Sequence, residues 1–248
     1  MKHLLLTALA AIVCIASLAQ TEGVVTYEET IKITMEVPPE FRDMIPKERR
    51  QKKTLTFTAT ESLYKNVPQE TTAASEIQAQ SSTGGMQIRF QGMNQDNQTY
   101  KNLQEGTVIE KQQFFGRDFL ISGEEKINWK MTGEQKKIGD YVCMKATYMR
   151  DTIPVSAWFT PQIPISNGPG SIGQLPGLVL EVDVNNGMVV ITATDVALRP
   201  LTPEEAIVVP DKGKTVTREE FNKIRDEKMK EMQEMDGPGG QRFIMRGN

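Results

Sequence analysis

The chain has 248 residues, with 29 Lys and Arg against 32 Asp and Glu. That near-balance gives no electrostatic footprint for a nucleic-acid partner. The one histidine, His3, lies in the first residues, and the cysteines are Cys14 and Cys143 alone. Ser-His-Asp, Cys-His and His-metal sites and an intramolecular disulfide framework are therefore excluded from the mature chain.

Residues 1–19 read as a secretory leader. Met1-Lys2-His3 is a short positive region, Leu4 to Ala16 is apolar, and Ser17-Leu18-Ala19 supplies small residues before the cut. Val13 before Cys14 argues against a lipoprotein box. No later apolar run approaches the ~20 residues needed to cross a bilayer. The expected product is exported, to the periplasm or beyond, and does not span the membrane.

Residues 20–200 read as one antiparallel β domain. Val25, Tyr27, Ile31, Ile33 and Met35 alternate with Thr26, Glu28, Thr30, Lys32 and Thr34, which predicts a long half-buried strand ended by Pro38-Pro39. The basic run Lys47 to Lys53 reads as a solvated loop entering the next strand, Leu55 to Ala59. Val67 to Gly85 reads as a long polar loop. Short strands follow at 86–90, 99–103, 107–114, 117–121, 128–131, 135–138, 141–149 and 155–159, with Gly at most of the turns. Cys143 lies within one of them and reads as a small buried hydrophobe.

The region 161–184 is the most distinctive. Pro161, Pro164 and Pro169 cannot donate to a ladder, so 161–174 should be irregular and lie at a sheet edge. Pro176-Gly177 fits the centre of a type II turn, with Leu175 and Leu178 pinning it to a core. Trp158-Phe159 offers apolar area for packing. Gly168-Pro169-Gly170 is no phosphate loop, since the proline removes a donor. Then Leu178–Val184, Asn185-Asn186-Gly187 and Met188–Val196 form a hairpin. Asn186-Gly187 suits a type I′ turn, with Val184 opposite Val189, Val182 opposite Ile191 and Leu180 opposite Ala193. Glu181 and Asp183 share the other face about 7 Å apart, a separation open to acid–base work on a glycoside, although such alternation is ordinary on a solvated face.

Residues 201–248 carry the helical signals. Thr202-Pro203-Glu204-Glu205 opens a short turn, and Thr217-Arg218-Glu219-Glu220 is a capping box. Phe221, Ile224, Met229, Met232 and Met235 then lie in an arc of about 140°. Met229, Met232 and Met235 are also soft ligands that could take Cu(I). No other cofactor is expected.

Tyr141-Val142-Cys143-Met144-Lys145-Ala146, Ala157-Trp158-Phe159-Thr160, Gly168-Pro169 and Gly173-Gln174-Leu175-Pro176-Gly177-Leu178-Val179-Leu180-Glu181 together resemble the GLPGLI family, secreted proteins of Bacteroidetes. The likeness covers about Ile127 to Val184. Gln174 and Val179 depart from the motif without affecting the turn. The resemblance implies export and a common fold, and leaves activity open. More loosely, the meander is similar to LolA-type lipoprotein carriers, which implies a curved sheet or half-barrel over a helix. The expectation is thus a mainly β fold, a curved antiparallel sheet with a C-terminal amphipathic helix. The expected function is that of a non-catalytic envelope protein, not an enzyme, binding a lipid, another apolar or extended ligand, or a protein partner. Two alternatives are the Cu(I) protein and a glycan-acting enzyme using Glu181 and Asp183.

Overall fold

A computed structural model describes residues 21–34, 46–67, 96–123 and 126–235. The leader at 1–19, the strand expected at 86–90 and most of the polar loop after Val67 lie outside these residues. The expected mainly β fold is what the chain adopts: one open sheet and a C-terminal helix.

Among the described residues the strands number twelve: β1 (Gly23–Lys32), β2 (Glu48–Phe57), β3 (Glu61–Asn66), β4 (Gln98–Asn102), β5 (Thr107–Phe114), β6 (Arg117–Ser122), β7 (Lys130–Ile138), β8 (Tyr141–Arg150), β9 (Ile153–Thr160), β10 (Leu178–Val184), β11 (Val189–Leu198) and β12 (Lys214–Thr217). Their order is β12-β6-β5-β4-β3-β2-β1-β11-β10-β9-β8-β7. Every pair is antiparallel except β12 with β6. The first strand, β1, therefore lies in the middle beside β11, and the sheet keeps two edges, β7 and β12.

Alternation in β1 buries Val25, Tyr27 and Glu29 and leaves their neighbours half-exposed. Regular pairing runs to Lys32 and Ile33 N still donates to Lys47 O, while Met35, the end of the expected strand, lies outside the described residues. The basic run is not a loop. It is most of β2, because β1 supplies its counter-charges: Lys53 Nζ lies 2.7 Å from Glu29 Oε2, and Arg50 lies 3.7 Å from Glu28. Cross-strand opposite charges favour pairing. The two strands expected at 128–131 and 135–138 are one, β7, interrupted by an irregularity between Met131 and Gln135.

The β10–β11 hairpin has the expected register at Val184–Val189 and Val182–Ile191. Asn186 and Gly187 take φ of 53° and 85°, and Met188 N donates to Asn185 O, the type I′ arrangement. Regular pairing stops at Glu181–Thr192, so the expected Leu180–Ala193 partnership is not in the ladder. The cause is a bulge: β10 shifts register against β9 between Val179 and Glu181.

Residues 161–177 join β9 to β10, which are interior strands, so the segment does not flank an edge as expected. It is buried. Ile163, Ile165, Ile172 and Leu175 pack into two adjoining cores, the first with Tyr27, Leu55, Leu178 and Leu180, the second with Phe159, Val179 and Val182. Gly177 N donates to Leu175 O, and Leu178 N donates to Ile163 O. The Pro176-Gly177 corner is therefore a three-residue turn, not type II, because Leu178 spends its N–H on Ile163.

The helix α1 (Arg218–Met235) begins with the expected capping box: Thr217 N donates to Glu220 Oε2 at 2.8 Å, and Glu220 N donates to Thr217 Oγ1 at 3.1 Å. Phe221 anchors it, edge-on to Phe119 and Phe114 at 5.3 and 5.9 Å. Pro203–Glu205 forms a single 3-10 turn. Among the described residues no helix is long and apolar enough to cross a membrane.

Candidate functional site

The expected residues fall into two places. Gly168, Pro169, Leu175, Pro176 and Gly177 belong to the segment 161–177, and Leu178 opens β10 directly after it. There Gly177 is required. At φ of 151° a Cβ would stand 2.2 Å from Thr160 O. Gly168 is needed for space, since a Cβ would meet Val179 Cβ at 2.8 Å. A residue not singled out in the sequence holds this segment down. Lys101, on β4, buries its ammonium and donates to Gly168 O at 2.8 Å and Ile172 O at 2.6 Å. Burial lowers its pKa to about 7, against a weaker upward pull from Glu110. This is a structural clasp.

The second place is a charged cluster built by register. Glu181, Trp158 and Lys145 stand side by side on β10, β9 and β8. Lys136, on β7, reaches across: its Nζ lies 4.4 Å from the centre of the Trp158 ring and 2.6 Å from Glu181 Oε1. Lys145 Nζ lies 5.5 Å from the same ring and 3.0 Å from both Glu134 oxygens. Its hydrogen bonds hold the Glu134 carboxyl below the usual carboxylate range. Cys143 sits opposite Lys136 in the ladder and is fully buried, with its thiol pushed up to about 11 chiefly by burial. It is a packed residue and no nucleophile at neutral pH.

Glu181 and Asp183 have different work. Glu181 is half-buried and ion-paired. Asp183 Oδ1 accepts the Gly187 N–H at 2.6 Å, so this carboxylate ties down the hairpin turn. Two carboxylates and two ammonium groups around one indole make a nearly neutral polar site. It offers a carboxylate that can accept a proton, ammonium donors beside it and an aromatic surface. Trp158 and Glu181 were legible in the sequence. Lys136 and Lys145 were not, because nothing local marks two lysines as sharing a ring.

Among the described residues no group of His, Cys, Asp and Glu is placed to hold a metal. The side chains of Met232 and Met235, two of the three thioethers in the copper alternative, lie outside the described residues. Met229 is half-buried on α1.

Fold and site together define an open twelve-stranded, largely antiparallel β protein with a tryptophan-centred charged cluster on β7–β10. The model for a family described as "N-glycanase peptide, N-terminal domain" matches residues 51–218, and the chain belongs to that family. No curated protein matches it. Solved structures of PNGF-II in two crystal forms share the fold, at 16% and 17% identity and TM-scores of 0.52 and 0.53. Each alignment covers 82% of this chain and about a third of PNGF-II, 33% and 32%. The family is named for an N-glycanase, an enzyme. That overturns the expected non-catalytic envelope protein binding an apolar ligand or a protein partner. The lack of any histidine after His3 and of any cysteine but Cys143 after Cys14, on which that expectation rested, leaves carboxylate chemistry available.

Proposed function

We propose that the protein acts on N-linked glycans as an enzyme of the N-glycanase type, with Glu181 as the reactive carboxylate and Trp158 as the surface against which a sugar ring lies. The family match carries this reading, and it spans Lys136, Lys145, Trp158 and Glu181. The chemistry agrees with it. Glycans are neutral and rich in hydroxyls, and the cluster is close to neutral and rich in both donors and acceptors. A carboxylate held by an ammonium group can take a proton from an attacking water and return it to a leaving group. Asp183 contributes by fixing the turn beside Glu181. The leader proposed at 1–19 would deliver the protein to where glycosylated secreted proteins are met. The GLPGLI resemblance stands as a proposal alongside.

The test is glycan release from a synthetic N-glycopeptide by the chain alone, followed as a mass shift. Release is expected, with Glu181→Gln slower by about 100-fold and Trp158→Ala raising KM more than it lowers kcat. The reading is overturned if the wild type releases nothing, or if Glu181→Gln matches it.

A further inference from the structure

The ladder is irregular on both sides of the row that carries Lys145, Trp158 and Glu181. On β10 the extra residue is Leu180, next to Glu181. On β7, Met131 pairs with Ala146 and Gln135 with Met144, so Thr132, Gly133 and Glu134 face the single residue Lys145. Bulges re-aim side chains and recur beside functional sites. Here they deliver both carboxylates of the cluster. Thr132 shapes the bulge on β7: its Oγ1 donates to Lys145 O at 3.4 Å and accepts the Glu134 N–H at 3.2 Å. Gly133 takes φ of 80°, with open space where a Cβ would stand.

An edge strand can carry a bulge simply to block pairing with other chains. That role needs no particular side chain. Glu134 instead turns inward along the sheet, onto Lys145 of β8. The surface is accessible: the Glu134 side chain is 54% exposed and that of Lys145 25%, beside 35% for Lys136 and 18% for Glu181. An ion pair as exposed as Lys145–Glu134 adds little to stability, so holding the fold does not account for it either. Hydrogen bonds from Lys145 keep the Glu134 carboxyl ionised. The carboxylate accepts hydrogen bonds and the ammonium beside it donates them, which matches neighbouring hydroxyls on a sugar ring. The Lys136–Glu181 pair offers the same combination. Lys145 lies on the β8 side of Trp158 and Glu181 on the β10 side, so one indole stands between two such pairs.

We propose that Glu134 and Lys145 form a second sugar position beside Trp158, so that the site engages two consecutive units of a glycan and prefers them to one. The choice of a sugar rests on the glycan reading above. Glu134 then determines specificity, and Glu181 remains the reactive carboxylate.

Calorimetric titration of the full chain with N-acetylglucosamine and with N,N′-diacetylchitobiose tests it, for wild type, Glu134→Gln and Lys145→Gln. The wild type should bind the disaccharide at least tenfold more tightly than the monosaccharide. Both variants should lose most of that preference, since a hydrogen bond to a charged group is worth about tenfold or more, and both should melt with the wild type. Equal binding of the two sugars by the wild type, binding of neither, or an undiminished preference in Glu134→Gln overturns the second position. A Glu134→Gln protein that melts clearly lower and keeps the preference overturns it too, because the pair would then be structural. Glycopeptide release measured in parallel separates the two ideas. Release by a wild type without disaccharide preference removes the second position and leaves the glycanase reading. A Glu134-dependent preference without release does the reverse.

Discussion

Lys101→Met should abolish most of a pH-dependent rise in stability that the wild type shows above neutrality. The folded pKa of Lys101 is about 7, against an ordinary value of 10.5. Between those values the unfolded chain binds more protons than the folded one, so stability rises with pH across that window and is flat below it. The full span of 3.5 units corresponds to an upper bound of about 5 kcal/mol at 1.36 kcal/mol per unit. From pH 7 to pH 9 the gain is about 2 kcal/mol, because titration is only half complete at the lower end. Over that interval the other shifted groups contribute little, and wild type and variant share them. The Cys143 thiol, raised from 9.0 to about 11, acts in the opposite direction above pH 9, and Tyr27 and Tyr64 do so above pH 10. Methionine is similar in length and apolar. It leaves Gly168 O and Ile172 O unpaired, at about 1–3 kcal/mol each, a cost that does not depend on pH. The slope, and not the absolute stability, is therefore the readout. Urea unfolding at half-unit steps from pH 6.5 to 9 measures it. Parallel curves for wild type and Lys101→Met would refute the reasoning, since Lys101 would then titrate no differently folded than unfolded.

Gly177→Val should lose about 3 kcal/mol, from positive φ and from a Cβ driven against the Thr160 carbonyl; a melting temperature within a degree of wild type would show that the corner gives way freely. Cys143 should resist alkylation in the native protein: raising the thiol by two units cuts the thiolate about 100-fold near pH 8, so iodoacetamide labelling as fast as in urea would contradict its burial.

Much of the framework was legible in the chain. Alternation in 25–31 placed β1, Asn186-Gly187 placed the last hairpin with its register, and Thr217 with Glu220 placed the start of α1. These are short-range effects, in which backbone geometry and neighbours a few residues away decide the outcome. The misreadings share a different cause. The basic run 47–53 became a strand because β1 brought Glu28 and Glu29 alongside it. Pro176-Gly177 took a tighter turn because Ile163, fourteen residues before Gly177, claimed the N–H of Leu178. Lys101 reaches carbonyls 67 and 71 residues away. Lys136 and Glu181, 45 residues apart, meet over one indole. The sequence by itself determined most of the strands, the Asn186-Gly187 turn and the start of the helix. Only the tertiary structure decided which charges were buried and which partners they met, because desolvation and ion pairing act between groups that the chain brings together from far apart.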